Sequence, residues 1–92
     1  MTAKSPYELV LTAPAQRAIA SALPEAVAAA VLEFVTTSLI ENPRVGKELR
    51  YDLQGVWSAR RGTYRVLYRI REDAREVVVL RVEHRRDAYR PF

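Results

Sequence analysis

The chain has 92 residues, 49% of them hydrophobic, and a net charge of +4 from fifteen Lys and Arg against eleven Asp and Glu. That length makes one domain, residues 1–92, with one modest core. The lack of cysteine excludes disulfides and thiolate metal ligands, and no apolar run approaches the ~20 residues that span a bilayer.

Tyr7 to Leu11 reads as a short strand. Thr12-Ala13-Pro14 opens a helix, with Thr12 as its cap and the proline in the first turn, where its missing N–H is harmless. That helix ends near Ala22. Leu23-Pro24-Glu25 starts a second, running to about Glu41, with Val27, Val31, Phe34, Val35 and Leu39 in a one-sided stripe. Asn42-Pro43 stops it. This helical hairpin is scaffold, and its Ala28-Ala29-Ala30 run suits close packing on a sheet.

Arg44 to Tyr51 reads as a loop or irregular edge. Three strands follow, at about 55–61, 63–71 and 75–83. Gly62 turns the first pair, and Arg71-Glu72-Asp73-Ala74-Arg75 turns the second. In the middle strand Tyr64, Val66, Tyr68 and Ile70 share the face that packs on the helices, leaving Arg65, Leu67 and Arg69 on the open face. In the last strand Val78, Leu80 and Val82 are the expected inward set, with Val79, Arg81, Glu83 and Arg85 opposite. The class is α+β: an N-terminal strand, a two-helix hairpin, then an antiparallel β-meander with a basic tail.

The charge is uneven. Residues 1–43 carry two basic and four acidic side chains, whereas residues 44–92 carry thirteen and seven. Thirteen of the fifteen cations are arginine, which binds phosphate through a planar bidentate fork. Arginines alternating with aromatics on a sheet, and the cluster His84-Arg85-Arg86-Asp87-Ala88-Tyr89-Arg90, suit a polyphosphate with exposed bases, RNA or DNA. Arg60, Arg61, Arg81 and Arg86 are the candidate RNA contacts. Trp57, Tyr64 and Tyr68 read as packing residues.

Other chemistries fail on composition. One histidine precludes a two-histidine nuclease, and the zinc spacings need His or Cys in number. Glycines at 46, 55 and 62 cannot form a Gly-rich phosphate loop. No cofactor is implied. The residues present support phosphodiester cleavage by the RNA's own 2′-hydroxyl, in which the protein supplies orientation, proton transfer and cations for the phosphorane oxygens. Arginine stays protonated and is a poor base.

Three stretches carry a resemblance. They are Asn42 to Arg50 with Gly46-Lys47-Glu48-Leu49, Leu53 to Tyr68 with Trp57-Ser58-Ala59-Arg60-Arg61-Gly62-Thr63-Tyr64-Arg65, and Val82-Glu83-His84-Arg85 with Tyr89. In this order and spacing the chain resembles the RelE family of bacterial toxins within the RelE/ParE superfamily, actinobacterial branch. The resemblance implies a metal-independent, ribosome-dependent mRNA endonuclease that cleaves A-site codons through 2′-OH attack. It also implies a cognate RelB-like antitoxin in a toxin–antitoxin hetero-oligomer, the 70S ribosome and mRNA as partners, and no membrane. The family's catalytic arginines fall on Arg65 and Arg85, and its C-terminal tyrosine on Tyr89.

Two strand lysines of the best-known member are replaced by Val56 and Ser58, so the general base is open among Lys47, Glu48 and His84. The first six residues lack the apolar stretch of a signal peptide, so a cytoplasmic location is expected. Two rival readings remain: a ParE-like poison of DNA gyrase, and a binding module without chemistry.

Overall fold

A computed structural model describes residues 6–50 and 53–84. Strand β1 (Glu8–Leu11) leads into α1 (Ala13–Arg17), which loosens into a π-helical turn at Ala18–Ala22. Helix α2 (Glu25–Thr36) and the short α3 (Ser38–Glu41) follow, and then a 3-10 turn at Pro43–Val45. The rest is β2 (Lys47–Glu48), β3 (Trp57–Arg61), β4 (Tyr64–Arg71) and β5 (Glu76–His84).

The five strands form one sheet in the order β1-β5-β4-β3-β2. The β3–β4–β5 meander is antiparallel, and the two-residue β2 extends it beyond β3 within the region read as an irregular edge. β1 pairs in parallel with β5, bringing the first and last described strands together. The helices cover one face. Val31, Phe34, Val35 and Leu39 pack there against Ala59, Val66, Tyr68, Val77 and Val79.

Helix α2 ends earlier than its apolar stripe suggests. Thr37 breaks it at φ −124°, ψ −85°. The Thr36 and Thr37 hydroxyls donate to the carbonyls of Leu32 and Glu33 at 2.7 and 2.6 Å, the back-bonding that bends helices.

The inward set of β5 is also corrected. Val77 and Val79 are fully buried and Val82 nearly so, whereas Val78 and Leu80 are half-buried. The cause is a β-bulge. Leu67 pairs with Arg81 and Tyr68 with Val79, so Leu80 is an extra residue that reverses the strand's alternation. Thr12 does not cap α1. Its hydroxyl sits 2.8 Å from the Val79 carbonyl and 2.7 Å from that of Leu80, tying the end of β1 to the bulge.

Gly62 turns β3 into β4 at φ +55°, a conformation that favours glycine. At the far end of the sheet the Tyr7 hydroxyl donates to Glu72 at 2.5 Å, and Arg44 lies 3.6 Å from the same carboxylate. The bond from Tyr7, with Arg44 beside it, holds the Glu72 carboxyl below its ordinary range.

Candidate nucleic-acid interface

Strand register assigns the open face. One row across the sheet runs Arg60 on β3, Arg65 on β4 and Glu83 on β5. The adjacent row runs Lys47 on β2, Ser58 on β3, Leu67 on β4 and Arg81 on β5. Lys47, Arg60, Arg65 and Arg81 therefore share the side away from the helices. A groove of about 400 Å3 runs between β2 and the hairpin, lined by Val45, Gly46, Lys47, Leu49, Ser58, Ala59, Arg60, Arg61 and Arg65.

Arg65 is fixed by β5. Its Nε donates to Glu83 Oε1 at 3.0 Å, and its Nη2 donates to the same oxygen. Arg81 Nε lies 3.6 Å from Glu83 Oε2. One carboxylate thus sits between two guanidiniums.

Tyr68 and Gly46 set the position of Lys47. The Tyr68 ring is fully buried, and its hydroxyl donates to the Pro43 carbonyl at 2.5 Å. It also accepts from the Gly46 N–H at 3.3 Å. Burial pushes the Tyr68 hydroxyl's pKa up, partly offset by the Gly46 bond. A Cβ at Gly46 would lie 2.5 Å from the Ser58 carbonyl oxygen and 2.7 Å from the Tyr68 oxygen. Glycine at 46 is what lets the chain come close enough for Lys47 to pair with Ser58. Trp57 stacks on Tyr68, with centroids 6.4 Å apart and planes at 28°. Trp57, Tyr64 and Tyr68 are accordingly packing residues.

The candidate bases separate. Lys47 lines the groove. Glu48, next along the strand, takes the opposite side. Its carboxylate accepts from the Gly55 N–H at 3.1 Å and it borders a different depression, with Leu49, Arg50 and Gln54. His84 pairs with Tyr64, whose buried ring lies on the helix-covered side, so the register sets His84 on that side too.

Arg60 and Arg61 divide in the same way. Arg60 is exposed on the open face. Arg61 borders the groove, but its guanidinium lies over the Phe34 ring at 4.7 Å and donates to the Arg60 carbonyl at 3.0 Å. The two arginines read as RNA contacts thus both line the groove but are held differently. Consecutive residues of a strand face opposite ways, and that signal was present in the sequence. Arg85, Arg86 and Tyr89 lie outside the described residues. Sequence reasoning missed the role of Glu83, although its spacing of two from Arg81 put both on one face.

The model of the family described as ParE toxin of the type II toxin–antitoxin system matches residues 10–89. The chain belongs to the RelE/ParE superfamily of type II toxins. It is 51% identical over 86 residues to Toxin RelG of Mycobacterium tuberculosis, covering 92% of this chain and 98% of that protein. It is 45% identical over 91 residues to Toxin RelE of the same organism, covering 98% and 93%. Among solved structures it is similar to the toxin–antitoxin complex RelBE2 of M. tuberculosis. That match has a TM-score of 0.84 at 50% identity, covering 88% of this chain and all of the matched one. A free Escherichia coli RelE mutant shares the fold, with a TM-score of 0.69 at 20% identity, covering 87% and 84%. In this chain the RelE/ParE toxin fold carries a basic open face, with a groove lined by Lys47 and Arg65.

Proposed function

We propose that this toxin is a ribosome-dependent mRNA endonuclease that cleaves codons in the A site without a metal. The observation that carries the reading is the convergence of Lys47, Arg60 and Arg65 on one groove, with Arg81 beside it on the same face. In the reaction the substrate's 2′-oxygen attacks the adjacent phosphorus and the P–O5′ bond breaks. The products are a 2′,3′-cyclic phosphate and a 5′-hydroxyl. Arg65 stabilises the charge that gathers on the phosphorane oxygens. Arg60 and Arg81 hold neighbouring phosphates. In this reading Lys47 exchanges protons with the reacting oxygens, supported by its place on the groove, while Glu48 and His84 take other sides. Arg85 and Tyr89 complete the set by resemblance.

Such a site has few proton-transfer groups, so a preorganised substrate must supply much of the rate. This accounts for dependence on the 70S ribosome. The inhibiting partner is a RelB-like antitoxin whose acidic or apolar segments cover the basic face. Such a protein works where ribosomes do, in the cytoplasm.

The test adds purified protein to translating 70S ribosomes with a defined mRNA and maps 5′ ends by primer extension. Cuts within A-site codons, absent without ribosomes and lost in Arg65→Ala, are the expected result. Intact mRNA overturns it. The matching family model bears the ParE name, and that favours one second reading: a poison of DNA gyrase, read out as trapped cleavage complexes.

A further inference from the structure

We propose that Glu83 is an internal occupant of the phosphate site on Arg65, and so a positioning residue that sets how tightly the toxin takes its substrate. The inference deepens the RNA-cleavage reading and rests on it for the identity of the ligand. Its physical basis is the geometry of the pair. Glu83 Oε1 accepts from both Nε and Nη2 of Arg65, which form the side of the guanidinium that grips two oxygens of a phosphate. Oε2 lies 3.6 Å from Arg81 Nε. A carboxylate held between two guanidiniums carries the single negative charge of a phosphodiester and occupies the donors a phosphate would use.

Three further observations support this. Arg65 and Glu83 are direct cross-strand partners, so both are held on rigid backbone. Their side chains are 38% and 20% exposed, so the pair is partly shielded from salt and still reachable by a ligand. Arg60 stands on the other side of Arg65 in the same row. Without Glu83 the row would set two guanidiniums side by side with no counter-charge. Glu83 keeps Arg65 extended and aimed along the face while no substrate is bound. A docking phosphate then exchanges for the carboxylate on the same donors, and no bond to carbon or phosphorus changes in that step.

The test uses a probe that cannot be cleaved, a 2′-O-methyl RNA trinucleotide, titrated into the full chain. Glu83→Gln is expected to bind it about fivefold more tightly, the equivalent of releasing one partly exposed ion pair. The slope of log Kd against log salt should change little, because the docking phosphate reaches Arg65 in both proteins. Removing a residue with a merely structural role would not tighten binding. Glu83→Asp keeps the charge but is too short to hold both donors. It too should bind more tightly than the unaltered chain, whereas a simple background-charge effect would leave it unchanged. In an Arg65→Ala background, Glu83→Gln should give no tightening. Unchanged or weaker binding by a folded Glu83→Gln protein, with its melting curve as the check on folding, overturns the proposal. The titration needs neither ribosomes nor turnover. A chain that cleaves nothing in the ribosome assay but passes this test would refute the nuclease reading and leave the role of Glu83 standing.

Discussion

Arg60 and Arg65 stand directly opposite each other across the β3–β4 ladder, like charge against like charge. Such a pair destabilises a sheet, and a site that breaks a local folding rule does so for a reason outside folding. Arg60→Thr should therefore raise stability by about 0.2–1 kcal/mol while reducing mRNA cleavage. Thermal denaturation and primer extension on the same preparation measure both. A loss of stability with activity retained would show that the row is structural.

Arg61 should behave in the opposite sense. Its guanidinium lies 4.7 Å from the Phe34 ring centroid and fastens the β3–β4 hairpin to α2. Arg61→Ala is expected to cost about 0.5–1 kcal/mol, the scale of an exposed cation–π contact, with cleavage per folded molecule preserved. Denaturant titration gives the first number and single-turnover cleavage the second.

Two glycines with different burdens give a contrast. Gly46→Ala forces a methyl to within 2.5 Å of the Ser58 carbonyl oxygen, where neither backbone can yield cheaply. A cost of about 1–3 kcal/mol is expected, together with lost activity as Lys47 is displaced. At Gly62 nothing stands within 4 Å of the same methyl, and only the φ of +55° resists. Gly62→Asn, which tolerates that conformation, should leave both the melting temperature and cleavage nearly unchanged.

Tyr68 makes a prediction in alkali. Its folded pKa lies above the ordinary 10.0 because burial disfavours the phenolate. Above pH 10 the unfolded chain has lost this proton and the folded chain has kept it, so stability falls with rising pH. The contribution is full below the unfolded value and is lost as pH climbs from there through the raised folded value. Tyr64, raised by the same cause, adds a slope of the same sign. Tyr68→Phe should flatten the curve. It should also cost about 1–3 kcal/mol at neutral pH, because the Pro43 carbonyl loses its 2.5 Å donor. Equilibrium unfolding at a series of pH values reads both effects.

What the sequence made legible followed from uninterrupted period-2 patterning. Tyr64, Val66, Tyr68 and Ile70 face the helices as alternation requires, and Gly62 turns where a left-handed residue is needed. The last strand could not be read that way. Its alternation reverses at Leu80, and the partner that stabilises the reversal is Thr12, 68 residues earlier. The end of α2 was hidden similarly, because Thr36 and Thr37 break the helix by hydrogen bonds that no apolar stripe encodes. Of the site, Arg65 and Arg81 reach one face as their spacing implied, and the pairing of β2 and β3 adds Lys47 and Arg60 to it. Arg61 and Glu48 each sit beside an open-face residue in the chain but meet other partners, Phe34 and Gly55, which strand spacing does not show.

The parallel pairing of β1 with β5 also orders events during synthesis. β1 is made first among the strands, yet its partner residues, Glu76 to Val79, are translated well over sixty residues later. Closing a pair so distant along the chain is slow, and it waits on the last strand. Until β5 has been made, β1 has no partner in the sheet, β4 has only β3, and Arg65 lacks Glu83. The sheet and the counter-charge on Arg65 are therefore completed together, in one late step.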